Sequence, residues 1–181
     1  DVLVLCRLEP IRNLNTSHLN ASTHLHMSRK LNGQIAIVTG ASSGIGAGVA
    51  KALAAQGATV VVNYSSSPEK GKKVLDEIQN SGGKGILIKA DVSNEKEVVE
   101  MFQKTISEFG TVDILVANAG LQKDSKFHEM SLAEWNRVIG INLTGQFLCA
   151  REAIKEFLRR GVVPSRSKAA GKIICMSSVH E

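Results

Sequence analysis

The pattern of hydrophobic and polar positions changes abruptly near residue 30. From Lys30 onward, short apolar runs alternate with longer amphipathic stretches. Apolar runs of about four to eight residues favour strands, and apolar positions spaced by about 3.6 residues favour helices. The runs predict strands at Ile35–Thr39, Thr59–Asn63, Gly85–Ala90, Val112–Ala117 and Lys172–Met176. The amphipathic stretches predict helices at Gly44–Gln56, Pro68–Ser81, Glu95–Phe109 and Ser131–Arg160.

The order of these elements predicts an α/β fold. Strands alternate with helices, which is typical of a doubly wound, Rossmann-type parallel sheet. The strands are apolar along their whole length rather than at every second residue, as expected when helices cover both faces of a sheet. The second helix carries its own boundary signals, because Ser67 and Pro68 favour a start and Gly82-Gly83 favours an end.

The first 26 residues do not share this pattern. They show no sustained helical or strand period, and Asn, Ser, Thr and His are frequent in their second half. Met27 resembles a natural start, so the residues before it would be an extension or a leader. The lack of acidic residues after Glu9 favours an organellar leader, whereas the presence of only two arginines before Met27 disfavours one. We expect disorder over residues 1–26 and one folded domain over residues 27–181.

Composition and charge narrow the class of function. The 181 residues are 43% hydrophobic and 22% charged, which is ordinary for a globular domain. No apolar run approaches the roughly 18 residues that a membrane helix needs. The net charge of +5 would suit an anionic partner, but the basic residues are interspersed with acids, and only one Trp and one Tyr are present to stack on bases. We therefore expect a solvated surface rather than a nucleic-acid or membrane interface.

Cysteine and histidine indicate neither disulfides nor a metal site. Cys6, Cys149 and Cys175 are odd in number and far apart, which is typical of reduced core thiols in a cytoplasmic protein. The histidines within His18–His26 lie near one another, but no Cys or carboxylate joins them at the spacing of metal ligands.

The turn after the first predicted strand carries the clearest chemical signal. It reads TGASSGIG from Thr39 to Gly46 and leads directly into the first predicted helix. Glycines allow backbone N–H groups to approach a pyrophosphate, and a helix N-terminus favours the negative charge. The spacing does not match G-x-G-x-x-G from Gly40, and no Gly-Lys-Ser/Thr follows to form a P-loop. The turn therefore indicates a dinucleotide site with a different glycine spacing.

Five segments together resemble the short-chain dehydrogenase/reductase family. Besides the T-G-x-x-x-G-x-G turn, they are Asp91-Val92, Ala117-Asn118-Ala119-Gly120, Asn142 and Ser177-Ser178. Each follows or faces the carboxyl end of a predicted strand, where open α/β sheets bind ligands. The resemblance covers residues from about 30 to 181. His128–Phe157 and Met176–Glu181 are similar more specifically to the glucose 1-dehydrogenase subgroup, although 3-oxoacyl-carrier-protein reductases share most of these motifs.

The resemblance implies an NAD(P)-dependent oxidoreductase. In this family a Tyr takes the proton of the substrate hydroxyl as hydride passes to nicotinamide, and a Lys four residues later lowers the pKa of that Tyr. A Ser hydrogen-bonds the reacting oxygen, and an Asn holds a water in the proton relay. The resemblance assigns the Ser role to Ser178 and the Asn role to Asn142. The substrate implied by the subgroup is a sugar, β-D-glucose, which is oxidised to its lactone.

The same resemblance assigns the cofactor contacts to the glycine turn and to three later segments. The residues are Gly40, Ser42, Ser43, Gly44, Ile45, Gly46, Asn63, Tyr64, Ser65, Asp91, Val92, Asn118, Ala119 and Gly120. The second predicted strand does not end in a carboxylate that would hold the ribose 2′-OH of NAD, and Ser65–Ser67 can donate to a 2′-phosphate. We expect NADP or either dinucleotide as cofactor. Against this, the subgroup often has an Arg where Ser65 stands, which would bind phosphate better.

The catalytic Tyr and Lys of the family are not present among the 181 residues. The single Tyr is Tyr64, and Pro68 stands four positions later. The chain stops just before the segment where the resemblance places Tyr-x-x-x-Lys, which we interpret as truncation of a longer product that would not turn over by itself. The alternative is a non-catalytic fragment that binds nucleotide or joins full-length relatives. The family's usual homo-oligomer uses the helix that Ser131–Arg160 resembles.

Overall fold

The computed structural model describes residues 29–177, where strands and helices alternate as the sequence predicts. The strands are β1 (Ile35–Val38), β2 (Thr59–Tyr64), β3 (Lys84–Lys89), β4 (Ile114–Ala117) and β5 (Lys172–Cys175). The helices are α1 (Gly44–Ala55), α2 (Pro68–Asn80), α3 (Glu95–Phe109), α4 (Leu132–Ile139) and α5 (Gly145–Arg160). A π-helical segment, Gly140–Thr144, joins α4 to α5. The expectation for residues 1–26 lies outside the described residues, as does Ser178.

Within residues 29–177, the five strands form one parallel sheet in the order β3-β2-β1-β4-β5. The strand order reverses at β1, where Ala36 pairs with Val60 of β2 on one side and with Ile114 of β4 on the other. In doubly wound sheets, such a reversal opens a crevice at the carboxyl ends of the strands. The predicted α/β fold with a doubly wound, Rossmann-type parallel sheet is confirmed.

Helices cover both faces of the sheet and bury two apolar layers. One face packs against α1 and α2, and the other packs against α3 and α5. The buried side of α1 is made of small residues, Ala47, Ala50 and Ala54, which let the helix lie close to the sheet. Every residue of β1 and β4 is buried, which explains why these strands are apolar throughout rather than alternating.

The two edge strands of the sheet are partly exposed to solvent. Lys84 and Lys89 are exposed at the two ends of β3, and β5 exposes Ile174 and Cys175. The expectation of core thiols is therefore correct for Cys149, which is buried, and wrong for Cys175, because an edge strand has a neighbour on only one side.

The largest difference from the sequence-based elements concerns the predicted helix Ser131–Arg160. Ser131 is the N-cap of α4, and its hydroxyl accepts from the backbone N–H of Glu134 at 3.2 Å in a capping box. The helix is then interrupted by the π-helical segment Gly140–Thr144. A π-turn adds about one residue to a helical turn, so it shifts the hydrophobic period too little to be recognised in the sequence.

Smaller differences lie at the ends of elements. The sequence pattern extends three strands by one residue, to Thr39, Ala90 and Met176, because small or apolar residues continue beyond the observed strand ends. Ser67 occupies the N-cap of α2 as predicted, but its side chain makes no capping hydrogen bond. The start of α2 is instead favoured by Pro68, whose fixed φ suits the first helical position.

A buried ion pair fixes the amino end of the sheet. The carboxylate of Asp113, 1% exposed, accepts from the backbone N–H of Ile35 at 2.8 Å and from the guanidinium groups of Arg160 and Arg166. These contacts join β1 to the end of α5 and to the loop before β5. They lie at the opposite end of the sheet from the glycine turn.

Candidate functional site

The glycine turn between β1 and α1 forms the centre of the candidate site. Gly40 and Gly44 have positive φ angles of 61° and 54°, which L side chains rarely adopt. Gly46 lies in the first turn of α1, where an added Cβ would stand 2.4 Å from Nδ2 of Asn118. The backbone path therefore requires glycine at these positions, because of the positive φ angles at Gly40 and Gly44 and the close contact with Asn118 at Gly46.

Thr39, at the end of β1, connects this turn to the segment after β4. Its side chain is 1% exposed, and its Oγ1 accepts from the backbone N–H groups of Asn118 and Ala119, each at 2.9 Å. The same hydroxyl donates to the carbonyl of Val116 at 3.4 Å. The sequence analysis did not include Thr39 among the site residues. The feature of the sequence that could have identified Thr39 is its hydroxyl group, which follows the apolar run Ile35–Val38.

Asn118 in turn donates hydrogen bonds to the end of β1 and to the glycine turn. Its side-chain amide donates to the carbonyl oxygens of Thr39 at 2.9 Å and Gly40 at 3.3 Å. Hydrogen bonds donated from each side thus join the carboxyl ends of β1 and β4. Ala119 lies against Gly40, where an added Cβ would be 2.9 Å from its Cα, and Gly120 follows.

Most of the residues at the amino end of α1 are open to solvent. Ser42 is half-buried, and Ser43, Gly44 and Ile45 are exposed. Ser43 is the N-cap of α1, but its hydroxyl makes no capping hydrogen bond, and the first turn of α1 carries no acidic residue. The helix therefore presents free N–H groups and hydroxyls, together with the positive end of its dipole, at the carboxyl edge of the sheet.

The ends of β2 and β3 border the site on its other side. Asn63 is 1% exposed, Tyr64 is half-buried, and Ser65 is exposed. Oδ1 of Asn63 accepts from the backbone N–H of Gly40 at 3.1 Å, while its Nδ2 donates to the carbonyl of Ala90 at 3.0 Å. The side chain of Asn63 therefore links the glycine turn to the end of β3.

Asp91 and Val92 form a tight turn after β3. Oδ1 of Asp91 accepts from the backbone N–H of Ser93 at 2.9 Å and from its hydroxyl at 2.7 Å. Glu97, in the first turn of α3, accepts from the backbone N–H of Asp91 at 2.8 Å. Val92 is buried against Gly145, where an added Cβ would stand 2.7 Å from the valine Cγ2. This turn is thus fixed both to α3 and to the start of α5.

Asn142 lies in the π-helical segment and contacts the chain that follows Gly120. Its Nδ2 donates to the carbonyl of Leu121, and its Oδ1 accepts from the N–H of the same residue, both at 2.9 Å. This paired contact uses the side-chain amide of Asn142 to hold the segment after β4.

The end of β5 completes the candidate site. Met176 donates its N–H to the carbonyl of Ala117 at 3.0 Å, and its own carbonyl accepts from the side chain of Gln146 at 3.1 Å. Ser177 is exposed beside the end of β4, and the sequence-predicted Ser178 lies outside the described residues. The structure therefore connects the glycine turn with Asn63 and Asn118, and it connects Asn142 with the segment after β4.

The thiol of Cys149 is buried in the core, on the face of the sheet that α3 and α5 cover. Burial, and to a smaller extent the charge of Glu152, raises the pKa of the Cys149 thiol to about 12, so this thiol is not a nucleophile near neutral pH. No cluster of three or more His, Cys, Asp or Glu side chains is placed to hold a metal ion between residues 29 and 177. Over the same residues, no helix combines the length and apolar character needed to cross a bilayer.

Comparison with known proteins agrees with this geometry. A family described as short chain dehydrogenase matches residues 34–181. Glucose 1-dehydrogenase 2 of Bacillus subtilis is 37% identical over 156 residues, which are 86% of this chain and 58% of that protein. The 3-oxoacyl-[acyl-carrier-protein] reductase of Synechocystis sp. is 42% identical over 149 residues, which are 82% of this chain and 57% of that protein.

A solved structure shows the same similarity in three dimensions. The short chain dehydrogenase from Burkholderia cenocepacia J2315, solved in complex with NADP, superposes with a TM-score of 0.68 at 33% sequence identity. The superposition covers 70% of this chain and 52% of that structure. The chain thus spans about half the length of the relatives that it matches.

Proposed function

The chain belongs to the short-chain dehydrogenase family, and from that premise we propose that its carboxyl-edge site holds a nicotinamide dinucleotide for hydride transfer to or from a sugar hydroxyl. The observation that carries this proposal is the glycine turn, which hydrogen bonds hold against the end of β4. Thr39 and Asn118 fix the turn against β4, while the amino end of α1 stays open. A rigid backbone with free N–H groups at a helix start suits a pyrophosphate.

The surface of the turn fits such a cofactor. Open space surrounds Gly44, where an added Cβ would meet no atom within 4 Å, and Ser42 and Ser43 bring hydroxyls to the same place. On this proposal, Gly44, Ile45 and Gly46 hold the pyrophosphate through the first turn of α1. The remaining contacts come from the turn after β3 at Asp91-Val92 and from the segment Asn118-Ala119-Gly120.

NADP is proposed as a cofactor, with NAD as the alternative. Beyond β2, Ser65 and Ser66 are exposed and Ser67 is half-buried, and the first carboxylate is that of Glu69 at the start of α2. Hydroxyls at this place can donate to a 2′-phosphate, whereas a carboxylate would repel it. The similarity to a protein that was solved with NADP supports this choice.

Calorimetric titration of the protein with NADP⁺ and NAD⁺ tests this choice. We expect NADP⁺ to bind at least as tightly as NAD⁺, and we expect Ser65→Asp to weaken NADP⁺ more than NAD⁺. An NAD⁺ preference beyond about 100-fold, which is about 2.7 kcal/mol, would show that the missing carboxylate does not decide the cofactor.

Glucose is the proposed substrate, and a 3-oxoacyl thioester is the alternative. The similarity to a glucose 1-dehydrogenase supports the former, and the similarity to a 3-oxoacyl-carrier-protein reductase supports the latter. On the first proposal, Ser178 contacts the reacting oxygen, Asn142 supports the proton relay, and His180 or Glu181 contacts sugar hydroxyls. The 181 residues contain a single Tyr, Tyr64, and no Tyr-x-x-x-Lys, so we expect cofactor binding without turnover from this chain alone.

The protein purified from its native source provides the substrate test. Absorbance at the wavelength of the reduced nicotinamide should rise with glucose and NADP⁺. Reduction of an acetoacetyl thioester with no response to glucose would favour the reductase alternative.

A non-catalytic role, in which this chain joins a second copy or a longer relative, has one observation in its favour. Leu143, Phe147, Ile154 and Leu158 are spaced as one face of a helix, and all four are exposed. An apolar stripe of this kind is typical of a protein interface. On this proposal the stripe is the contact of a homo-oligomer. Sedimentation should show concentration-dependent association that Phe147→Glu abolishes and that the same substitution at exposed Lys104 leaves intact.

A further inference from the structure

Asn63 is a polar residue in the most buried part of β2. Its neighbours Val61 and Val62 are fully buried, and Asn63 itself is 1% exposed. Burying a primary amide costs free energy unless its donor and acceptor groups find hydrogen-bond partners. The hydrogen-bond partners of this amide therefore indicate which parts of the fold it holds together.

Each polar group of Asn63 contacts a different part of the carboxyl edge. Its Oδ1 accepts from the N–H of Gly40 at 3.1 Å, and its backbone carbonyl accepts from the N–H of Ala41 at 2.8 Å. Its Nδ2 donates to the carbonyl oxygens of Ala90 at 3.0 Å and Ile88 at 3.4 Å. Only one orientation of the amide satisfies all these groups, because reversal would set an NH₂ group against the Gly40 N–H.

We propose that Asn63 is a positioning residue for the dinucleotide, which holds the glycine turn at a fixed distance from the end of β3 rather than touching the cofactor. This proposal rests on the proposed function of the site. Because Asn63 is 1% exposed and its amide is hydrogen-bonded to backbone groups of the fold, its side chain does not face the space that a ligand would enter. Its contact at Gly40 is in the same turn as the residues assigned to the pyrophosphate, and its contact at Ala90 directly precedes Asp91.

The chemistry at this position discriminates an amide from a carboxylate. A carboxylate keeps the acceptor that Gly40 needs, but it faces the carbonyl oxygens of Ala90 and Ile88 with no proton to donate. A protonated carboxyl group retains an O–H and can donate to Ala90. Asn63→Asp is therefore a replacement whose hydrogen bonds are restored by protonation, and burial beside carbonyl oxygens raises the pKa of such a group.

The sign of the pH effect follows from that raised pKa. A carboxyl group with a higher pKa in the folded state favours folding while it is protonated, and this contribution is lost as the pH rises through the folded-state pKa. Asn63→Asp should therefore approach the wild type at about pH 5 and depart from it at about pH 8. The titratable groups next to Asn63 and to its partners Ile88 and Ala90 along the chain are Tyr64, Lys89 and Asp91, and they are present in both proteins.

The experiment is calorimetric titration with NADP⁺ at about pH 5 and about pH 8 on the wild type, on Asn63→Asp and on the control Asn80→Asp. Asn80 ends α2 and is exposed, so its substitution adds the same charge without a buried partner. We expect Asn63→Asp to bind about tenfold more weakly than the wild type at the higher pH and within about threefold at the lower pH. Asn80→Asp should match the wild type at both values.

Melting temperatures measured without ligand separate an effect of Asn63 on folding from an effect on cofactor binding. If the melting temperature of Asn63→Asp falls with pH relative to the wild type while its affinity does not change, Asn63 is a structural residue only and the positioning role is overturned. An affinity ratio that is the same at both pH values overturns the hydrogen-bond assignment. If the wild type binds neither NADP⁺ nor NAD⁺, the proposed function and with it the positioning role fail, whereas the melting comparison still tests the contacts of Asn63.

Asn63→Ser keeps the proposal testable if the aspartate variant does not fold at the higher pH. A serine hydroxyl is too short to reach both Gly40 and Ala90, and it does not titrate in this range. We expect about tenfold weaker binding of NADP⁺ at both pH values. Binding at wild-type strength by a folded Asn63→Ser protein would overturn the positioning role.

Discussion

Substitution of Thr39 by valine tests how the two halves of the carboxyl edge are joined. Valine has nearly the shape of threonine but lacks the hydroxyl. In the wild type, Oγ1 of Thr39 accepts from the N–H groups of Asn118 and Ala119, both at 2.9 Å. Thr39→Val therefore removes one acceptor and leaves two backbone donors without a partner, while the volume of the core stays almost constant.

The magnitude follows from the burial of those donors. A buried donor left without a partner costs about 1–3 kcal/mol. Asn118 and Ala119 are half-buried, so each should lie near the lower end of this range. We expect Thr39→Val to lower the free energy of unfolding by about 2–3 kcal/mol, which is a large part of the about 5–15 kcal/mol typical of a domain.

Two controls separate the cost of the two unpaired N–H groups from the general cost of removing a buried hydroxyl. Thr105 is fully buried in α3, and its hydroxyl donates to the carbonyl of Met101 at 2.8 Å. That carbonyl keeps its helical partner in Thr105→Val, so we expect a change within about 1 kcal/mol. Thr39→Ser keeps the acceptor and loses one methyl group, which should cost about 1 kcal/mol.

Urea denaturation followed by circular dichroism measures all three variants on one scale. The slopes with denaturant should agree, so that midpoints report stability. A Thr39→Val protein that is no less stable than Thr105→Val would refute the reasoning, because the orphaned N–H groups would then carry no measurable cost.

Three further predictions follow from glycine spacing, thiol burial and the amino-terminal pattern. Gly46→Ala should abolish NADP⁺ binding, since its Cβ would lie 2.4 Å from Nδ2 of Asn118 and 2.6 Å from the carbonyl oxygen of Gly40. Gly48→Ala, with open space around it, should bind normally and gain about 0.5–1 kcal/mol in helix stability. Iodoacetamide followed by peptide mass spectrometry should modify exposed Cys175 at pH about 8 and spare Cys149, whose pKa of about 12 keeps it protonated; equal labelling would contradict its burial. Deletion of residues 1–26 should leave the melting temperature and NADP⁺ affinity unchanged, and a loss of several degrees would show that they pack on the domain.

Local patterns in the sequence were sufficient to predict the five strands, the first three helices and the glycine turn. Apolar runs such as Ile35–Val38 identify strands because a strand buried on both faces needs apolar residues throughout. The glycine spacing from Gly40 to Gly46 identifies the turn because positive φ angles and close contacts exclude side chains there. The interruption at Gly140–Thr144 was missed, since one added residue barely disturbs the helical period.

The sequence by itself determined which residues form strands, helices and the glycine turn, because these depend on neighbours within a few positions. The tertiary structure alone decided how these parts are joined. The partners of Thr39 lie about 80 residues away at Asn118 and Ala119, and those of Asn63 lie on both sides of it at Gly40 and Ala90. A buried polar group must pair with whatever the fold brings within about 3 Å, and that proximity is set by the strand order β3-β2-β1-β4-β5 rather than by distance along the chain.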